Sequence, residues 1–252
     1  MFKKIAFFSA SLLGAVVSIS AIDTLTNQEI KEMYDTYIVV NHTEEYKNRY
    51  VPLPLYKNTL PWRWEGKDVP RVFALLEFER FVTKNKLTSR NALAINGIHD
   101  PEWYYLPHAK ITEWNYEGDC IKYDLHTVDL DGKNYDFVML NQVLEHVYDP
   151  IRCLINVYRH MSSGGIVYLN VPSNSVPHSM PYHFYTGYTP IGLAAIIKLA
   201  GFNLLSVGQW GNAEYLNVVQ RSHSWPDYTY SKNPGLNDIG NPVIVWAFAV
   251  KP

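Results

Sequence analysis

The sequence predicts an α/β protein: a doubly wound, mostly parallel sheet with an antiparallel last strand. Three observations lead there. Short apolar runs alternate with amphipathic helical stretches from about residue 70 onward, the pattern of strands joined by crossover helices. The runs are apolar at odd and even positions alike, so both faces of the sheet must be covered. A chain of 252 residues, 47% hydrophobic and 18% charged, can build one large core but not several.

Three segments are expected. Residues 1–21 place Lys3 and Lys4 before an apolar run from Ile5 to Val17, with the small residues Ser18, Ser20 and Ala21 after it. That is the layout of a secretory signal peptide cleaved after Ser20 or Ala21. The alternative is an uncleaved membrane anchor, because the run is barely shorter than a span requires. Either way the body is expected in the secretory pathway or outside the cell, with membrane contact only through this segment. Residues 22–68 form an aromatic, Pro-rich extension, with a short helix near 27–37 and then VPLPLYKNTLPWRWEGKD, where dense prolines favour extended chain. Residues 69–252 carry the alternating pattern.

That domain opens with a helix over 70–87, whose Val72, Leu75, Leu76 and Val82 recur at helical spacing behind an early proline. NALAI is the first strand, ending at Asn96-Gly97, and AKITEW the second, with Glu113 at its close. YDFVML is the third, after the turn signal Asp131-Gly132. A helix is expected over 150–161, capped by Asp149, with Ile151, Leu154, Ile155 and Tyr158 on one face and Ser163-Gly164-Gly165 ending it. IVYLNV, stopped by Pro172, is the fourth strand, and a helix over 190–199 follows, capped by Thr189 and closed by Gly201. FNLLSV and PVIVWAFAV are the last two strands. The stretch between them reads as a polar, aromatic loop with no ten-residue helix, so one of the two should run antiparallel.

Composition narrows the partners. A net charge of −2 without a basic run argues against nucleic acid. Nineteen tyrosines and seven tryptophans cluster in the segments read as loops. Trp62, Arg63 and Trp64, and RSHSWPDYTY over 221–230, are therefore candidates for a lid over the strand ends or for structural wrapping. Asn41-His42-Thr43 is a glycosylation sequon, useful only in a eukaryotic secretory host. Cys120 and Cys153 could form one bridge, but a cysteine in a predicted helix is more often a buried free thiol. There is no Gly-x-Ser-x-Gly elbow and no P-loop.

The stretch YDFVMLNQVLEHVYDPIRCLINVYRHMSSGGIVYLNVPS resembles the second half of class I S-adenosylmethionine-dependent methyltransferases. It has their strand, a Leu-Glu-His triplet, Asp-Pro with a helix, a Gly-Gly turn and a strand ending in proline. HFYTGYTPIGLAAIIKLAGFNLLSV and the closing VWAFAVKP are similar to that family as well. The resemblance covers residues 90–252 and implies a seven-stranded sheet with S-adenosylmethionine as cofactor. It places Asn141, Gln142 and Glu145 beside the cofactor, with Asn96 and Gly97 at the end of the first strand. Glu113 would grip the ribose hydroxyls, since a carboxylate can accept two hydroxyl bonds. The first half departs from the family pattern: ALAINGIHDPEWYYLPHAKITEW has the single glycine Gly97 where a Gly-x-Gly loop is expected. No helix of normal length fits between Asp100 and His108, so the first crossover is short or irregular.

The activity implied is methyl transfer to a small-molecule or sugar-like acceptor. An in-line displacement mainly requires alignment and exclusion of water. An oxygen or nitrogen acceptor also uses a base, for which His146, His178 and His183 are the candidates by ordinary pKa. Each can equally be a histidine that hydrogen-bonds a loop. Glu145, His146, His178 and His183 are residue types that suit a divalent ion, but nothing in their spacing demands one and no metal is assigned. The alternative to catalysis is an inactive protein of the same fold, exported as a binding module. The degenerate glycine loop and export from the cytosol favour that alternative, whereas the intact LEHVYDP stretch and the histidine loop after the fourth strand favour catalysis, which is the preferred reading.

Overall fold

The computed structural model describes residues 24–51, 61–63, 67–114, 124–127, 129, 132, 134–227 and 232–252. The expected leader over 1–21, Trp64, Cys120, Asp131 and residues 228–230 lie outside them. Helix α1 (Asn27–Met33) starts at a capping box, in which Thr26 and Glu29 satisfy each other's backbone N–H groups. The chain then widens into a π-turn over Tyr34–Ile38 and tightens into a 3-10 turn over Val39–His42 before α2 (Glu44–Asn48). Asn41 of the sequon is fully buried, so the folded chain does not present it for glycosylation.

Helix α3 (Val69–Asn85) is capped by Asp68 and carries Pro70 in its first turn. Beyond it come β1 (Asn91–Ile95), a 3-10 turn over Pro101–Tyr105 and β2 (Lys110–Trp114). The first crossover is therefore a single short turn, as its length requires. Next are β3 (Tyr135–Asn141), α4 (Pro150–Arg159) and β4 (Met161–Pro172). The chain closes with α5 (Pro190–Leu199), β5 (Asn203–Trp210), α6 (Ala213–Ser222) and β6 (Ile244–Val250).

The sheet order is β2-β1-β3-β4-β6-β5. Strands β1 to β4 pair in parallel, and β6 runs antiparallel to both β4 and β5. The antiparallel last strand is thus present. Six strands appear among the described residues, against the seven the resemblance implies. Strand periodicity divides the core in two. Leu93, Ile95, Val138, Leu140, Val245 and Ala247 face α4 and α5. Their alternates Ala92, Ala94, Phe137, Met139, Trp246 and Phe248 face α3 and α6.

Two expected boundaries change. The fourth helix stops at Arg159, and Ser163-Gly164-Gly165 lies within β4. There the pairing with β3 slips between Tyr135 and Phe137, and Gly164 takes φ +77°. The glycines make a strand irregularity rather than a helix stop. The stretch read as a loop before the last strand contains the ten-residue α6, capped by Asn212, with Tyr215 and Val219 buried at i and i+4. Only two buried positions mark its apolar face, too faint a stripe to stand out among polar neighbours. Among the described residues no helix is long and apolar enough to cross a membrane.

Candidate active site

Strand order reverses at β1, which has β2 on one side and β3 on the other. In open α/β sheets the crevice outside the carboxyl ends of the strands at such a reversal is where ligands sit. A cavity of about 420 Å³ opens there. Its floor is Ile95 and Asn96 from the end of β1, Trp114 from the end of β2, and Gln142 and Val143 from the end of β3. Asp124, Leu125 and His126 form one wall, and His146, Val147, Tyr148, Ser179, Tyr182 and Phe184 the other.

Two floor residues hold unusual backbone. Asn96 has φ +56° and Gln142 φ +52°, the left-handed region that non-glycine residues visit at a cost. Gln142 is held by its side-chain N–H donating to Asn170 Oδ1 at 2.6 Å and its backbone N–H donating to Asn170 O at 2.8 Å. The adjacent wall is fixed by His126. Its Nδ1 donates to Asp124 Oδ1 at 2.6 Å, its Nε2 accepts from Asp149 N at 3.3 Å, and Tyr148 stacks on the ring at 3.8 Å. Tyr148, Tyr182 and Phe184 are largely exposed around the mouth.

The expected cofactor residues divide between the cavity and its surroundings. Asn96 and Gln142 line it. Glu113 does not: it is exposed, and strand alternation puts it on the opposite face of β2 from Trp114, which does line the cavity. Asn141 is also turned away. Its amide donates to Asp100 Oδ2 at 2.7 Å and Glu102 Oε1 at 3.2 Å, joining a network in which Arg71 pairs with Glu102 and Asp100. Gly97, with φ +136°, serves its own turn: a Cβ there would meet Asp100 Oδ2 at 2.3 Å. Its carbonyl accepts from Trp103 Nε1 at 2.9 Å. The short first crossover is thus locked to α3 by Arg71 instead of presenting a glycine cradle.

Glu145 lies behind the cavity wall, fully buried, with neither carboxylate oxygen hydrogen-bonded. Burial pushes its carboxyl up to about 8. His146 lines the cavity. Its Nδ1 donates to Tyr182 O at 2.7 Å, and burial is the main cause holding its pKa below the usual imidazole value. His178 and His183 stand behind it, outside the cavity lining, with ring centroids 4.9 and 5.6 Å from that of His146. The three candidate bases therefore form one cluster, of which only His146 reaches the cavity.

Asp124, His126 and Trp114 are among the lining residues that the sequence reading did not select, as are Tyr148, Tyr182 and Phe184 at the mouth. Parity was the available signal for Trp114. Ile111 packs on the α3 side of the sheet, so Trp114 must face the other way. Asp124-Leu125-His126 carried only its position, in the chain returning to β3. Of the aromatic segments, Trp62 is buried and donates to Tyr105 OH at 2.8 Å, which makes it wrapping. Trp225 lies 5.4 Å from the His178 ring. Cys153 is a free, buried thiol, and burial pushes its pKa up.

A doubly wound α/β domain with a cavity at the strand-order reversal has the architecture in which open parallel sheets hold their ligands. Residues 69–211 match a family model described as a methyltransferase domain. That match spans more than half of the sequence, and the chain belongs to this methyltransferase family. Solved structures of similar fold include the N-methyltransferase NodS from Bradyrhizobium japonicum in complex with S-adenosyl-L-homocysteine. It is 15% identical, with 81% of this chain and 99% of that chain covered and a TM-score of 0.48. Another is the 1,6-didemethyltoxoflavin-N1-methyltransferase of Burkholderia thailandensis, 13% identical, with 71% and 78% covered and a TM-score of 0.47. No curated protein matches the sequence.

Proposed function

We propose that the protein transfers a methyl group from S-adenosylmethionine to a small-molecule acceptor in the cavity at the ends of β1, β2 and β3. The observation that carries this reading is the cavity itself, at the strand-order reversal, in a chain of the methyltransferase family. The lining fits the cofactor's chemistry. Trp114, Leu125 and Val143 offer apolar faces for a purine, Asp124 a carboxylate for its polar edges, and Asn96 and Gln142 amides for the amino-acid end. Bound S-adenosylmethionine supplies an electrophilic methyl on a sulfonium. The protein's work is then alignment and exclusion of water. Tyr148, Tyr182 and Phe184 ring the mouth, and His146 presents its ring in the wall beside them.

The test is calorimetric titration of the purified body with S-adenosylmethionine and S-adenosylhomocysteine. Saturable binding is expected, weakened by about tenfold or more in Trp114→Ala and weakened in Asp124→Asn, while Glu113→Gln retains it. No binding of either compound up to millimolar concentration removes the proposal. It would favour a second reading, an inactive binding module, which is supported by Gly97 and Glu113 not facing the cavity. Residues 1–21 are proposed to direct export. N-terminal sequencing of secreted material should begin at or just after Ala21.

A further inference from the structure

We propose that His146, His178 and His183 form a binding site for a divalent transition metal of the zinc type, with Glu145 as its carboxylate partner. The three rings come from two stretches of chain, the turn after β3 and the loop after β4. Their centroids lie 4.9 Å (146–178), 5.6 Å (146–183) and 4.5 Å (178–183) apart. One ring nitrogen of each lies within 4.8 Å of the other two. In a tetrahedral site with metal–imidazole bonds of about 2.0–2.1 Å, ligand nitrogens stand about 3.3 Å apart. Small side-chain rotations close the triad to that spacing.

The hydrogen bonds around the rings select the ligating atoms. His146 Nδ1 donates to Tyr182 O at 2.7 Å, and His178 Nδ1 donates to Val176 O at 3.0 Å. Each bond keeps the proton on Nδ1 and leaves the Nε2 lone pair for a ligand. A ligating histidine usually has this kind of outer support. His183 has two buried ring nitrogens and no hydrogen-bond partner for either.

Glu145 is an independent observation. It is fully buried, its two carboxylate oxygens have no hydrogen-bond partner, and Oε1 lies 3.8 Å from His146 Nε2. An isolated buried carboxylate is costly unless a positive charge meets it. A cation held by the three imidazoles supplies that charge. Three imidazoles and one carboxylate suit zinc and its first-row neighbours, whereas magnesium and calcium favour oxygen ligands. The site borders the cavity through His146, but the inference does not rest on methyl transfer, because metal binding is read without cofactor.

The experiment titrates chelator-stripped full-length protein with Co2+, following visible absorption, and with Zn2+ against a chromophoric chelator. One equivalent of Co2+ should give the d–d bands of a four- or five-coordinate nitrogen/oxygen site, and Zn2+ should displace it. His178→Gln and His183→Gln should each weaken Zn2+ binding by about 100-fold and Glu145→Gln by about tenfold. The exposed His108→Gln should leave binding unchanged. Imidazole NMR of the unsubstituted protein reads the same site without any variant: Zn2+ should shift the ring nitrogens of three histidines only. Absence of stoichiometric binding, undiminished binding in the His178→Gln/His183→Gln double variant, or NMR shifts spread over other histidines overturns the proposal.

Discussion

Arg71 shows how one side chain determines the site at the residue scale. Its guanidinium is nearly buried and faces the fully buried Glu102 together with Asp100. Arg71→Met should cost about 3–5 kcal/mol in urea unfolding, because it leaves a buried carboxylate without its counter-charge. Arg71→Met/Glu102→Leu should recover part of that loss, since the fully buried carboxylate leaves with its counter-charge while the partly exposed Asp100 keeps its bond from Asn141. Gly97→Ala should destabilise by about 1–3 kcal/mol through its backbone conformation alone, and the clash with Asp100 adds to it. A melting temperature unchanged from wild type would show that the turn can rearrange. Gly97 reads as the one glycine left of a cofactor loop at the end of β1. That it serves Asp100 and Trp103 instead of a ligand could not be read, because Asp100 is held by Arg71 of α3, which lies well before it in the chain.

The strands were the most legible elements. NALAI and YDFVML are short apolar runs buried on both faces, whereas KITEW at the sheet edge is mostly polar and partly exposed. Helix α6 was missed because its stability comes from its cap and its packing more than from its composition. Asn212 accepts from Tyr215 N at 2.8 Å and donates to Leu236 O at 3.1 Å. Asn212→Ala should therefore cost about 1 kcal/mol or somewhat more, measured by thermal unfolding, with Asn212→Asp recovering part of it. The site was only partly legible at this scale. Asn96, Gln142 and His146 sit where the ends of β1 and β3 put them. Glu113 was selected by residue type, whereas strand parity gives the cavity to Trp114. His178 and His183 lie in a loop without periodicity, so nothing in their spacing announced that they would meet His146.

For the whole molecule, the fold predicts a division of labour that mutation can separate. The α3–α6 side of the sheet carries the Arg71 network and most of the aromatic packing, and residues of the α4–α5 side, among them Ile95, Trp114, Leu125 and Val143, line the cavity. Arg71→Met should change unfolding with little direct effect on the lining, whereas Trp114→Ala should weaken ligand binding and also lower stability, because Trp114 is buried in the α4–α5 core. Because α3 clamps the first crossover through Arg71, an incoming ligand meets a finished floor. Among the described residues, the exposed Tyr148, Tyr182 and Phe184 at the rim are the side chains left to settle. Capture should therefore resemble docking onto a rigid plate, with a fast bimolecular phase and no slow rearrangement in stopped-flow fluorescence.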